Sequence, residues 1–142
     1  YGCVRPFHAV EPYRLEMGAK LAVDDARDLY AFWSDKLARA IAPAGSNTTI
    51  VNLASVEYAK AVLPHLAGDA TAVTCLFGEG IRNGKPIQRS TASKKARGSM
   101  ARWMAENKLE DASELTAFNI GYRHIPELSD KNTLVFMNAQ AQ

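Results

Sequence analysis

The sequence predicts an α/β or α+β fold, with a mixed sheet and about three main helices. Three observations carry that expectation. Apolar residues recur at three- and four-residue spacing in two long stretches, as on half-buried helices. Two short β-branched runs, residues 48–54 and 71–77, are bounded by turn residues as buried strands are. The two kinds of segment alternate along the chain, which favours helices packed on a sheet.

Taken in order, residues 1–23 are loop-rich, with Pro6, Pro12 and Gly18, and an extended stretch is expected at 13–17. From Asp28 to about residue 42, Leu29, Phe32, Trp33, Leu37, Ala40 and Ile41 make the apolar face of one amphipathic helix. Asp28 is its natural N-cap, and Pro43 with Gly45 is its stop. After the first strand, Ser55 is placed to cap a second helix that runs to about Leu63 and ends at Pro64. Beyond the second strand, Asn83-Gly84 is the pair favoured in a tight hairpin turn, and Pro86 confines the returning strand to an edge. The third helix starts near Ser90 or Thr91 and continues to about Lys108, with Ala92, Ala96, Met100, Trp103 and Met104 as its apolar stripe. A short helical turn follows from Asp111 or Ser113, and residues 117–120 and 133–136 read as two closing strands.

With 142 residues, 47% of them hydrophobic, one compact unit is the default, and no disulfide or metal is needed to close a core. No stretch approaches the roughly 18 consecutive apolar residues of a membrane-spanning helix. Cys3 and Cys75 lie far apart and belong to no CxxC pair, so a reducing cytoplasm is the expected setting and each thiol reads as a small buried hydrophobe. His8, His65 and His124 form no metal-ligand spacing. There is no phosphate-binding GxxxxGK[ST] string, and Gly78-Glu79-Gly80 is too short for a dinucleotide fingerprint. Neither a metal nor a cofactor is expected. The opening residues, from Tyr1 to Pro6, read as the middle of a structure, so the chain is expected to be a fragment.

Net charge is only +2, yet it is unevenly spread. Residues 71–105 hold Arg82, Lys85, Arg89, Lys94, Lys95, Arg97 and Arg102 against one acid, Glu79. Four of these cations, Lys94, Lys95, Arg97 and Arg102, fall within about three turns of the third helix and mainly off its apolar stripe. A helix starting at Ser90 or Thr91 also aims free N–H groups outward, so a phosphate is the natural partner. The two arginines offer planar forks and the lysines point charges, a combination with affinity and little base specificity. The plainer alternative is a solvated helix face with weak ion pairs to Glu106 and Glu110.

A second constellation comprises Arg5, Tyr13, Arg14 and Glu16, where an Arg–Glu pair could support a cleft wall or simply fix a loop. Tyr13 could stack on a base, although a core tyrosine is the commoner outcome. Asn52, Ser55 and Glu57 sit at a strand-to-helix junction, where α/β folds often bind ligands. Capping explains Ser55 better than nucleophilic chemistry, since no histidine has a diagnostic spacing to it. Glu16 and Glu57 are possible acid–base groups.

Four strings carry a resemblance to a known family. They are Tyr1-Gly2 through Arg5-Pro6-Phe7 with residues 11–18; Asp28-Leu29-Tyr30 with Phe32-Trp33; Asn52-Leu53-Ala54-Ser55 with Glu57-Tyr58; and Lys94-Lys95-Ala96-Arg97-Gly98 with Met100 and Arg102. Together they resemble the C-terminal half to two-thirds of YaaA peroxide-stress proteins. The resemblance implies a cytosolic bacterial protein linked to hydrogen peroxide stress, with an unusual α/β fold, a positively charged cleft and binding to duplex or branched DNA. It also implies that an N-terminal part of the family fold lies outside this chain. The function expected is therefore DNA binding through the phosphate backbone. The alternative is an enzyme acting on nucleic acid or a small anion through Glu16, Arg14, Glu57 or Lys95.

Overall fold

The computed structural model describes residues 2–5, 7–12, 16–21, 23 and 25–140. Its fold is mixed α/β, with a four-stranded sheet and a two-stranded one, and the chain divides into two compact units. The first holds Tyr1–Ile50 and Ala54–Thr71, the second Val51–Leu53 and Ala72–Gln142. The extended stretch expected at residues 13–17 falls largely outside the described residues.

In the first unit the long helix expected from Asp28 onward is two short ones, α1 (Leu29–Trp33) and α2 (Lys36–Ile41). Asp28 caps α1 as its sequence position suggests, accepting the Ala31 N–H at 2.8 Å. The break comes at Ser34, whose φ of 46° leaves the helical region and whose N–H returns to the Tyr30 carbonyl. Ser and Asp compete for backbone hydrogen bonds, so Ser34-Asp35 is a weak point in an otherwise periodic run. Asp35 then ion-pairs with Arg39 at 3.1 Å, one turn on. The second expected helix is also shorter: α3 spans only Val56–Ala59, and Pro64 sits in a separate 3-10 turn, Leu63–His65. Ser55 occupies the N-cap position of α3 but makes no side-chain cap bond.

The four-stranded sheet runs in the order β1 (Thr49–Asn52), β2 (Thr71–Gly78), β6 (Thr133–Asn138), β5 (Tyr122–His124). β2 and β6 are parallel, setting Cys75 opposite Leu134 and Phe77 opposite Phe136, while β5 runs antiparallel to β6. A short hairpin, β3 (Ile81–Arg82) and β4 (Lys85–Pro86), follows β2. Asn83 and Gly84 both adopt positive φ, 51° and 71°, as a two-residue hairpin turn demands.

The core of the second unit is aromatic. Phe77 and Phe136 stack with ring centroids 5.5 Å apart, and Phe118 presents its edge to both. Cys75, Ala96, Met100 and Leu115 complete the fully buried set. Helix α4 (Ser90–Glu106) covers this core with Ser93, Ala96 and Met100, and Trp103 and Met104 pack beside them. Residues 117–120 are not the expected strand. Asp111 and Glu114 form a reciprocal capping box that starts a 3-10 helix, Ala112–Ala117, and Phe118 ends it with its ring in the core. The chain then turns at Gly121, φ 70°, and the strand begins one residue later.

Candidate functional site

Helix α4 forms because its inward positions are apolar or small and its outward ones include Ala101 and Ala105, strong helix formers. Its inward face is pinned at the start by Ser93, whose hydroxyl donates to the Phe77 carbonyl at 3.4 Å. That fixes the direction in which the remaining side chains leave the helix. Lys94 and Lys95 are exposed, and among the described residues neither has an ion-pair partner. Gly98 lies one turn further, and a Cβ added there would meet nothing within 4 Å, so the helix surface beside the lysines is open.

The other two predicted cations behave differently. Arg102 is exposed but already paired: its Nε donates to Glu106 at 2.7 Å, the arrangement that the plainer reading anticipates. Arg97 is partly buried at the border of the apolar stripe, and its Nε is shielded without an acceptor among the described residues.

The head of α4 adds two groups. Arg89 occupies the N-cap position in extended conformation and makes no side-chain cap bond, and the first turn holds no acid. The first N–H groups and the positive end of the helix dipole therefore point into an open depression of about 620 Å³, lined by Arg89, Ser90, Thr91, Ala92 and Lys95. Arg89 escapes sequence reasoning because its position matters only once the helix start is known; the signal available was its place directly before Ser90.

Glu79, the lone acid of the basic block, is also fixed. Its carboxylate accepts from the Tyr122 hydroxyl and, at 2.7 Å, from Asn138 Nδ2. Those two hydrogen bonds, with the nearby Arg89 charge, hold its carboxyl below the usual range. Burial, followed by the neighbouring Glu79, pushes the Tyr122 phenol up to about 12. Glu79 is thus committed to the ends of β5 and β6.

The remaining predicted residues fall elsewhere. Arg5 and Glu16 are exposed and belong to the first unit, and Tyr13 and Arg14 lie outside the described residues. Glu57 accepts the Met17 N–H at 3.2 Å, and its own carbonyl accepts from the Tyr30 hydroxyl. Asn52 is buried and donates to Thr74 at 3.1 Å. These contacts tie chain segments together. Cys75 is buried as expected, its thiol pushed up to about 12 by burial, but Cys3 is exposed, against the expectation that both would be internal. Among the described residues no group of three or more His, Cys, Asp or Glu side chains is arranged to hold a metal, and no helix is long and apolar enough to cross a membrane.

Comparison with known proteins gives a consistent picture. A family profile described as Peroxide stress protein YaaA matches residues 1–128. A UPF0246 protein of Desulfitobacterium hafniense (strain Y51) is 44% identical over 143 residues, covering 100% of this chain and 56% of the relative. A UPF0246 protein of Pediococcus pentosaceus is 44% identical over 138 residues, covering 96% and 54%, and one of Ruegeria sp. (strain TM1040) is 45% identical over 124 residues, covering 85% and 49%. The chain spans about half the length of these relatives.

Proposed function

The chain belongs to the YaaA peroxide stress protein family, and from that premise we propose that it binds DNA through the phosphate backbone, with the head and outer face of α4 as the contact surface. One observation carries the reading. Lys94 and Lys95 stand exposed without ion-pair partners among the described residues, on a helix whose uncapped start is flanked by Arg89. Backbone N–H groups at a helix start, a planar guanidinium and two ammonium groups are the donors that phosphate oxygens accept from. Contacts of these donors to phosphate oxygens carry no sequence information, so duplex and branched DNA would be bound with little sequence preference. Residence in the cytoplasm fits the two unpaired thiols.

The test is a fluorescence-anisotropy titration of labelled duplex and four-way-junction DNA at rising monovalent salt. Backbone binding predicts that log affinity falls linearly with log salt. An affinity that salt leaves unchanged, or no binding at low salt, defeats the proposal.

A further inference from the structure

We propose that the apolar cavity of the first unit is the seat of a hydrophobic segment belonging to the part of the family's length that this chain does not span. The cavity measures about 590 Å³ and is walled by Leu29, Trp33, Leu37, Tyr58 and Val62, with Met17 among its remaining residues. Among the described residues that line it none is charged. A site built for a small polar ligand carries a few convergent polar groups that fix its orientation. These walls offer almost none, so the occupant they suit is a set of aliphatic or aromatic side chains.

The burial pattern points the same way. Among the described residues the six largest fully buried side chains all belong to the second unit. Among the described residues the buried hydrophobics of the first unit are Met17 and four alanines, although it possesses Phe32, Trp33, Leu29 and Leu37. Protein interiors are packed to crystal-like density, and large apolar side chains arranged around empty space are the exception. Seven of the nine large hydrophobics that are exposed among the described residues also lie in this unit, including Phe7, Val56 and Tyr58. Of these, Tyr58 and Ile41 also line the cavity, so part of the exposed apolar surface belongs to it. The relatives carry roughly as much chain again as this protein spans, which supplies the occupant.

Cys3 makes the idea measurable. It is exposed and lines the cavity, whereas Cys75 is buried, so an alkylating reagent reports on the cavity alone. The chain is produced in the same cells as the portion of the Desulfitobacterium hafniense relative that lies outside the match. The proposal expects the two to co-purify and Cys3 to react about tenfold more slowly than in the chain by itself, as a covered site does. Leu37→Phe, which fills part of the cavity, should weaken the association while leaving thermal unfolding cooperative; Val62→Leu serves where Leu37→Phe does not fold. Failure to associate, association with Cys3 reacting at its free rate, or a chain that by itself dimerises with Cys3 protected each overturns the proposal, as does tight association by a folded cavity-filled variant.

Discussion

Replacing Lys94 and Lys95 together by glutamine should remove most of the salt sensitivity of DNA binding contributed by this chain. Among the described residues the structure leaves three exposed cations without an ion-pair partner at the head and outer face of α4: Arg89, Lys94 and Lys95. Arg102 is engaged by Glu106. About three phosphate contacts imply a slope of log affinity against log salt near −2.7, so a rise from about 50 to 200 mM salt weakens binding roughly 40-fold. With only Arg89 left, the slope shrinks to about −0.9 and the same rise costs only about 3.5-fold. Glutamine keeps the length and helix propensity of lysine, so stability should move by less than about 0.5 kcal/mol. The control is Lys108→Gln/Lys131→Gln, which makes the same change in net charge at two exposed positions outside α4. Anisotropy titrations at four salt concentrations give the slopes. If the control variant loses as much slope as the α4 variant, net charge alone drives binding and the assignment of α4 is wrong.

Tyr122→Phe removes a donor to the Glu79 carboxylate and should cost about 1–2 kcal/mol at neutral pH, read from urea midpoints. Because the folded-state pKa of Glu79 lies below its ordinary 4.5, its contribution is present above that value and disappears as pH falls through and below it; the variant should lose less stability on acidification. The Cys75 thiol has the opposite sign. It is raised from 9.0 to about 12, so its contribution is complete below pH 9 and is lost as pH climbs towards 12, by at most about 1.4 kcal/mol per pH unit. Cys75→Ala should flatten that alkaline limb, leaving the part due to Tyr122, and superimposable limbs would contradict the burial of the thiol. Thr91→Glu places an acid in the first turn of α4 and one turn before Lys95, which should stabilise the helix by about 0.5–1 kcal/mol. The same change should weaken DNA binding severalfold, and unaltered affinity would remove the head of α4 from the interface.

The elements that sequence reasoning located best are those whose signals are local and long. β2 was expected at residues 71–77 and is Thr71–Gly78; α4 was expected from Ser90 or Thr91 and starts at Ser90. The helix expected at residues 28–42 misled because apolar spacing survives a short interruption: α1 and α2 both present the same kind of stripe, and only Ser34-Asp35 marked the break. Residues 117–120 imitate a strand by their alternation, but Phe118 is drawn into the core from the end of a 3-10 helix, a tertiary preference that no local window contains. At the site, the exposure of Lys94 and Lys95 and the pairing of Arg102 with Glu106 follow from helical spacing. The union of Glu79 with Tyr122 and Asn138 joins positions 43 and 59 residues apart and depends on β5 lying beside β6, which the sequence does not announce.

Helix α4 is arranged against its own electrostatics. Helix starts favour Asp and Glu in the first turn and a Ser, Thr, Asp or Asn cap. Here Arg89 stands at the cap position, no acid occupies the first turn, and two lysines follow in the second. Each departure costs the free helix a few tenths of a kcal/mol or more, and the buried face formed by Ser93, Ala96 and Met100, with Trp103 and Met104 alongside, is what offsets the sum. The lone acid of the basic block, Glu79, accepts its hydrogen bonds from Tyr122 and Asn138, although its charge also acts on Arg89. An external anion would restore what the helix lacks: acceptors for its first N–H groups and negative charge at the positive end of its dipole. The same residues that make α4 a poor free-standing helix are thus the ones on which the proposed phosphate contact rests, and the aromatic core beneath it is what keeps the helix formed.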